Sequence, residues 1–291
     1  MANNNPVHIL VIRLSAMGDV AMTVPVILGF CKKYPSVKIT VLTKPFMAPI
    51  FSDIANVSVF NADVKGKHKG ITGIWRLYKE LAHLQIHLVA DLHHFLRSTI
   101  LKQFFRLKAI PFIQIDKGRA EKKKLIDPKL EPLKSTFKRY LEVFEKLGYS
   151  ISVDEMVEMP KKSFPKDFIH LKDNKEQVLV GIAPFAAFKG KMYPLNLMKE
   201  VVNELNNTNK YKIVLFGVPT VTLWGVTHPF AGFSPFGQSK DNALLADSVE
   251  YPLIPTSIYG NKFPVGYENV MGTIKPSKVV QKIINIINSN V

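Results

Sequence analysis

A glycine followed by an aspartate, Gly18-Asp19, is the first place in this chain where residue types and spacing invite chemistry. The pair closes Ser15-Ala16-Met17-Gly18-Asp19, a turn-like break after the run His8 to Leu14, which is apolar apart from His8 and Arg13. Such a run, rich in Ile, Leu and Val, reads as a buried strand. From Val20 apolar residues recur at Val24, Ile27, Leu28 and Cys31 with helical spacing. Strand, tight loop and helix in that order place Asp19 at the carboxyl end of a strand, where open α/β sheets bind their ligands. A carboxylate there can act as a general base or simply cap the helix, and the spacing leaves both open. Gly18 would let a ligand approach the backbone, with Ser15 and Met17 beside it.

Two further groups fall at equivalent positions. His93 and His94 follow the strand read at 88–92 (LVADL), so they face the same side as Asp19. They could touch a ligand there, but no third ligand lies at a suitable spacing, and no metal site is expected. Lys189 and Lys191 lie in the loop 184–193, after the first strand of a second α/β pattern. Two lysines at a helix N-terminus make a seat for phosphate; a plain basic loop is the other reading.

The elements that must position these groups alternate. Strands are read at 37–43, 57–60, 88–92 and 111–115, with helices at 47–54, 71–84, 96–107 and 135–147. Repeated β-α units imply a parallel, doubly wound sheet. Residues 1–150 thus form an N-terminal Rossmann-like domain, and 151–175, polar with Pro160 and Pro165, read as a linker. A second Rossmann-like domain spans 176–291, with strands at 178–183 and 212–216, a helix at 195–205 and a terminal helix at 275–288 with Pro276 near its first position.

At Gly217 the rhythm fails. Residues 212–216 (KIVLF) and 220–224 (TVTLW) both read as strands, yet only Gly217-Val218-Pro219 separates them. Parallel neighbours need a crossover of about a dozen or more residues, and Val-Pro suits no tight hairpin. Either the runs form one long bent strand or a crossover is missing. Beyond them, 226–238 reads as a Gly/Pro/aromatic loop and 241–261 as irregular.

The 291 residues are 47% apolar, enough for two cores, and no apolar run is long enough to predict a membrane span. MANNNPVH lacks the marks of a signal peptide, so a cytoplasmic location is expected, and the lone Cys31 suits a reducing compartment. The net charge of +16 and a pI near 9.7 favour anionic partners. The basic stretch 117–139 carries no aromatic interleaving for base stacking. No nucleic-acid motif is present, and nucleic acid is not an expected partner.

Residues 8–25 (HILVIRLSAMGDVAMTVP) resemble the N-terminal signature of the ADP-heptose–lipopolysaccharide heptosyltransferases, glycosyltransferase family 9. Residues 180–194 (VGIAPFAAFKGKMYP) are similar to that family's second-domain loop, which ends Lys/Arg-aromatic-Pro, and 218–238 to its C-terminal signature. Residues 254–262 (IPTSIYGNK) fit some members' tails. The resemblance implies a GT-B fold of two Rossmann-like domains and inverting transfer of a heptose or related sugar from a nucleotide-diphosphate donor to a lipopolysaccharide-core or similar glycolipid. It implies no metal and no cofactor. Asp19 matches the general base, Lys191 the residue that holds the donor diphosphate, and Gly225 and Thr227 fall beside the donor site. An anionic glycolipid acceptor implies peripheral association with the inner membrane face.

In one respect the chain departs from the family. There, a long segment between the strand matched by 212–216 and the C-terminal signature supplies a further donor-binding motif ending in His. Here it is absent at Gly217, a loss of about two β-α units of roughly 30 residues each. The second domain is therefore expected to be incomplete and weakly folded, with little transfer by the chain. Two readings follow: a glycosyltransferase, or a non-catalytic remnant that binds anionic glycolipid or a membrane surface.

Overall fold

The computed structural model describes residues 6–119, 121, 133–158, 163–164, 166–172, 176–184, 192–214, 222–224, 243–256 and 263–289. The chain divides into two compact units, Met1–Arg119 with Lys134–Pro160, and Ala120–Leu133 with Lys161–Val291.

The first unit is a five-stranded parallel sheet in the order β3-β2-β1-β4-β5, formed by β1 (His8–Ile12), β2 (Lys38–Thr43), β3 (Val57–Asn61), β4 (Leu88–Asp91) and β5 (Phe112–Gln114). β1 is central and buried along its whole length, which is why it carries apolar residues on both faces. On one face Leu10 and Ile12 pack with α3 (Gly70–Ala82) through Ile74, Leu77 and Leu81, and with α4 (Leu96–Arg106) through Leu101 and Phe105. α2 (Val24–Lys33) meets α5 (Thr136–Lys146) through Phe30 and Phe144, ring centroids 5.0 Å apart. Ser135 caps α5, its Oγ accepting the Lys138 N–H at 3.2 Å.

The chain builds outward from β1 through β2 to β3, then returns to β1's other side for β4 and β5. The order therefore reverses between β1 and β4, and the crevice outside their carboxyl ends is the topological switch point. The helix expected after the first loop is broken in two. α1 (Met17–Ala21) ends as Thr23 Oγ1 donates to the Val20 carbonyl at 2.7 Å, and α2 restarts with Pro25 in its first turn. Proline has no N–H and so tolerates only that first turn.

The segment read as a linker, 151–175, opens as part of the first unit. Ile151 and Met156 are buried, the Val157 N–H donates to the Pro25 carbonyl at 3.2 Å, and Lys33 pairs with Glu155 at 2.8 Å. A Cβ on Gly29 would stand 2.4 Å from the Glu155 carbonyl oxygen, so α2 receives this strap only because residue 29 is glycine. Further on, Lys166–Lys172 forms a 3-10 helix.

In the second unit β6 (Val178–Gly181) crosses through α6 (Leu195–Asn207) to its parallel partner β7 (Tyr211–Val214). A second parallel pair joins β8 (Thr222–Trp224) to β9 (Ala243–Leu245). Val180, Val201, Leu205 and Tyr211 share a core with Met271, Ile274 and Val279, the last on α7 (Pro276–Ser289). Tyr193, buried beside them, donates its hydroxyl to the Ile274 carbonyl at 2.6 Å. β7 and β8 enter different pairs, each with its own parallel neighbour, and residues 215–221 between them lie outside the described residues. β9 lies inside 241–261, read as irregular, because three residues are too short to show alternation.

Candidate active site

The site grows out of the end of β1. Arg13 is the first residue past that strand, and its backbone N–H still pairs with the Leu42 carbonyl at 3.1 Å. Its guanidinium is therefore buried against the sheet, with its carbon 5.9 Å from the Tyr140 ring centroid. One terminal nitrogen donates to the Leu92 carbonyl and the other pairs with the Asp19 carboxylate. Its Nε is buried with no hydrogen-bond partner among the described residues.

Asp19 is not the helix cap. Ala16 holds that position and Asp19 is the third residue of α1, because the chain turns helical at Met17. Its Oδ2 takes both the Arg13 pair and the Ala16 N–H, the latter at 3.3 Å. Oδ1 has no partner among the described residues, and the side chain is 27% exposed. The arrangement fixes one carboxylate oxygen and leaves the other presented, as a group that accepts a proton requires. Tyr140, on α5, donates its hydroxyl to the Asp19 backbone carbonyl at 3.1 Å. Burial pushes that phenol well above its ordinary range, so it stays a donor.

The neighbouring loop is set by Asp91, the last residue of β4. Its buried carboxylate accepts the backbone N–H groups of His93 and His94 at 3.0 and 2.8 Å, and the Gln114 amide at 2.9 Å. His93 Nδ1 accepts the Leu14 N–H at 2.9 Å, which ties this loop to the one carrying Asp19 and puts the ring proton on Nε2. Burial first, then the charges of Arg13, Lys117, Lys44 and Arg97, lower its pKa to about 3, so the ring is neutral. His94 turns the other way and its Nδ1 donates to the Ile115 carbonyl at 2.8 Å. Lys117 lies 5.7 Å from the Phe95 ring centroid, and burial, then Arg13 and Arg119, lower its pKa.

The structure thus brings Asp19, Ser15, Met17, Gly18, His93 and His94 to the switch point, all within the first unit. A Cβ on Gly18 would meet nothing within 4 Å, and its φ is not left-handed, so neither packing nor backbone geometry demands glycine there. Lys189, Lys191, Gly225 and Thr227 lie outside the described residues, as does Gly217. Arg13 and Tyr140 are the residues that sequence reasoning missed. An arginine closing a buried strand six residues before the aspartate was the available signal. No group of three or more His, Cys, Asp or Glu able to hold a metal occurs among the described residues.

A doubly wound parallel sheet with a site at its switch point, followed by a second α/β unit, is the mixed α/β architecture of GT-B glycosyltransferases. The structure of a family 9 glycosyl transferase from Veillonella parvula is similar over 98% of this chain and 98% of its own, with a TM-score of 0.66 and 14% identity. ADP-heptose lps heptosyltransferase II of E. coli is similar over 97% of this chain and 99% of its own, with a TM-score of 0.57 and 14% identity. E. coli heptosyltransferase WaaC with ADP is similar over 96% and 99%, with a TM-score of 0.53 and again 14% identity. At such identities the likeness is one of fold. No protein-family model and no curated protein sequence matches the chain.

Proposed function

We propose that this chain is an inverting glycosyltransferase that moves a heptose or a related sugar from a nucleotide-diphosphate donor to a lipopolysaccharide-core or similar glycolipid. The observation that carries this reading is Asp19, with Oδ2 held by Arg13 and Oδ1 unengaged among the described residues, at the switch point of a fold shared with family 9 structures. The acceptor hydroxyl oxygen attacks the anomeric carbon and gives its proton to Asp19 Oδ1. The bond from that carbon to the diphosphate oxygen breaks, and its electron pair leaves on the nucleoside diphosphate. Lys191, with Lys189 beside it, is assigned to the charge that builds on the leaving diphosphate, and Gly225 and Thr227 to the donor's neighbourhood. Gly18, free of any packing demand, suits a substrate that comes against the backbone. Lys44, Arg97 and Lys117, whose charges reach His93, suit an anionic acceptor. The reaction would take place on the cytoplasmic side, at the inner membrane face.

Release of nucleoside diphosphate from a nucleotide-diphosphate heptose, with matching mass gain on a lipopolysaccharide-core acceptor, tests the reading. Asp19→Asn should lower turnover by about 100-fold or more, and Lys191→Ala should weaken nucleotide-diphosphate affinity measured by calorimetry. Unchanged turnover in Asp19→Asn rejects the assignment of the base. The remnant reading draws on the second unit, whose described strands form two separate pairs rather than one sheet. It predicts glycolipid binding with no release of nucleoside diphosphate.

A further inference from the structure

An aromatic ring stands among the polar groups of the switch point. Phe95 follows β4 and the two histidines, and it is 61% exposed. It occupies the N-cap of α4, a position that prefers Ser, Thr, Asp or Asn because their side chains accept a first-turn N–H. Phenylalanine accepts nothing there, and the helix opens without a side-chain cap. Its backbone is nonetheless fastened: the Phe95 N–H donates to Ser98 Oγ, which donates in turn to the Phe95 carbonyl, both at 3.0 Å. A side chain that neither caps the helix nor buries its ring gives the fold less than serine would, so its use lies outside the fold.

The ring sits in a fixed frame. Its centroid is 5.7 Å from that of His93, with the planes 80° apart. The Lys117 ammonium lies 5.7 Å from the same centroid and within electrostatic reach of Asp19. That lysine is aimed by its own loop. Asp116 Oδ1 accepts the Gly118 N–H at 2.8 Å, and Gly118, at φ 59°, leaves room for the buried Arg139 guanidinium, since a Cβ would stand 2.2 Å from Nη2.

The proton chemistry says which substrate meets this ring. Asp19 takes its proton from the acceptor hydroxyl, so the acceptor sugar lies beside Asp19 on the first unit. An aromatic face is negative, and the C–H bonds on one face of a pyranose offer the complementary positive character. The hydroxyls round the sugar's rim need partners. His93 Nε2–H, next to the ring, is a donor unengaged among the described residues.

We infer that Phe95 is a specificity-determining residue: its ring is the platform on which the acceptor sugar stacks, and His93 Nε2–H donates to a hydroxyl at that sugar's rim. The sugar's role as acceptor rests on the transferase reading; the exposed ring at the helix start does not.

Calorimetry of the full chain with deacylated lipopolysaccharide-core oligosaccharide, without donor, tests the platform apart from turnover. Phe95→Leu keeps apolar bulk but removes the aromatic face, and should weaken binding by about fivefold or more. Phe95→Tyr should bind within about twofold of the unaltered chain. Phe95→Ser should hold or raise the urea midpoint, because it restores a cap, while weakening binding as Phe95→Leu does; a ring needed by the fold predicts a lower midpoint. In the turnover assay the acceptor KM should rise in Phe95→Leu by the same factor, with kcat and the donor KM within about twofold. Binding that Phe95→Leu leaves unaltered, a fallen midpoint in Phe95→Ser, or no binding by the unaltered chain overturns the inference. Phe95-dependent binding with no release of nucleoside diphosphate rejects the transferase reading and leaves the sugar platform standing.

Discussion

Two buried histidines sit at opposite ends of the same sheet and are used differently. His8 opens β1 at the amino end; its Nδ1 donates to the Leu84 carbonyl and its Nε2 accepts from Thr40 Oγ1, both at 2.8 Å. His93 follows β4 at the carboxyl end, and among the described residues only Nδ1 of its ring is engaged. Burial, the largest cause in each, lowers both pKa values. At the amino end both ring nitrogens of His8 are paired, while the carboxyl end leaves His93 Nε2, Arg13 Nε and Asp19 Oδ1 open among the described residues. Unspent hydrogen-bonding capacity at one end of a sheet, beside a fully paired histidine at the other, marks where a ligand belongs more sharply than burial or charge does.

The comparison predicts a division between activity and stability. The largest effect is the loss of turnover in Asp19→Asn given above, and its counterpart is His8→Asn. That change strands the Leu84 carbonyl or the Thr40 hydroxyl and should lower urea stability by about 1–3 kcal/mol while leaving turnover within about twofold. Turnover falling in step with Asp19→Asn would break the distinction. Gly29→Ala touches neither end but drives a methyl at the Glu155 carbonyl, and should cost about 1–3 kcal/mol in the same measurement.

Acid sharpens the contrast. Above the ordinary histidine value of 6.5 the neutral His93 costs nothing, but between 6.5 and about 3 the unfolded chain binds a proton that the folded chain refuses. Stability should therefore fall as pH drops through that window, by at most about 1.4 kcal/mol per pH unit. His93→Asn keeps an acceptor for the Leu14 N–H and removes the titration, so its stability should be flatter from pH 6.5 down to the carboxylate range. An unchanged slope would mean that His93 is not the group refusing the proton. The smallest structural effect belongs to Gly18→Ala. With open space around the new methyl, stability should change by less than about 1 kcal/mol, while the apparent KM for a substrate rises if that space is the ligand's.

Much of the first unit was legible because its signals are local. β1 reads as a buried run, α3 and α5 carry clean apolar faces, and the turn at Gly18-Asp19 points to a strand's carboxyl end. Arg13 was illegible for the opposite reason. Its partners are at 19, 92 and 140, brought together only by strand order, so in sequence it looks like an interruption of an apolar run. Tyr140 was hidden by its own regularity, since helical spacing already accounted for it as a core residue. The place of Asp19 inside α1 rather than before it turns on a helix that starts at Met17 instead of Val20, a shift of three residues that spacing does not resolve.

The strap at 151–158 has a consequence for how the chain is made. Gly29 and Pro25 wait for partners synthesised more than a hundred residues later. During synthesis the five strands can assemble and α5 can dock, yet this side of α2 stays bare until Val157 has left the ribosome. A gene truncated at residue 150 would therefore release a sheet with its switch-point loops in place but with the groove at Gly29 unfilled. One that continues through residue 158 would carry its own cover.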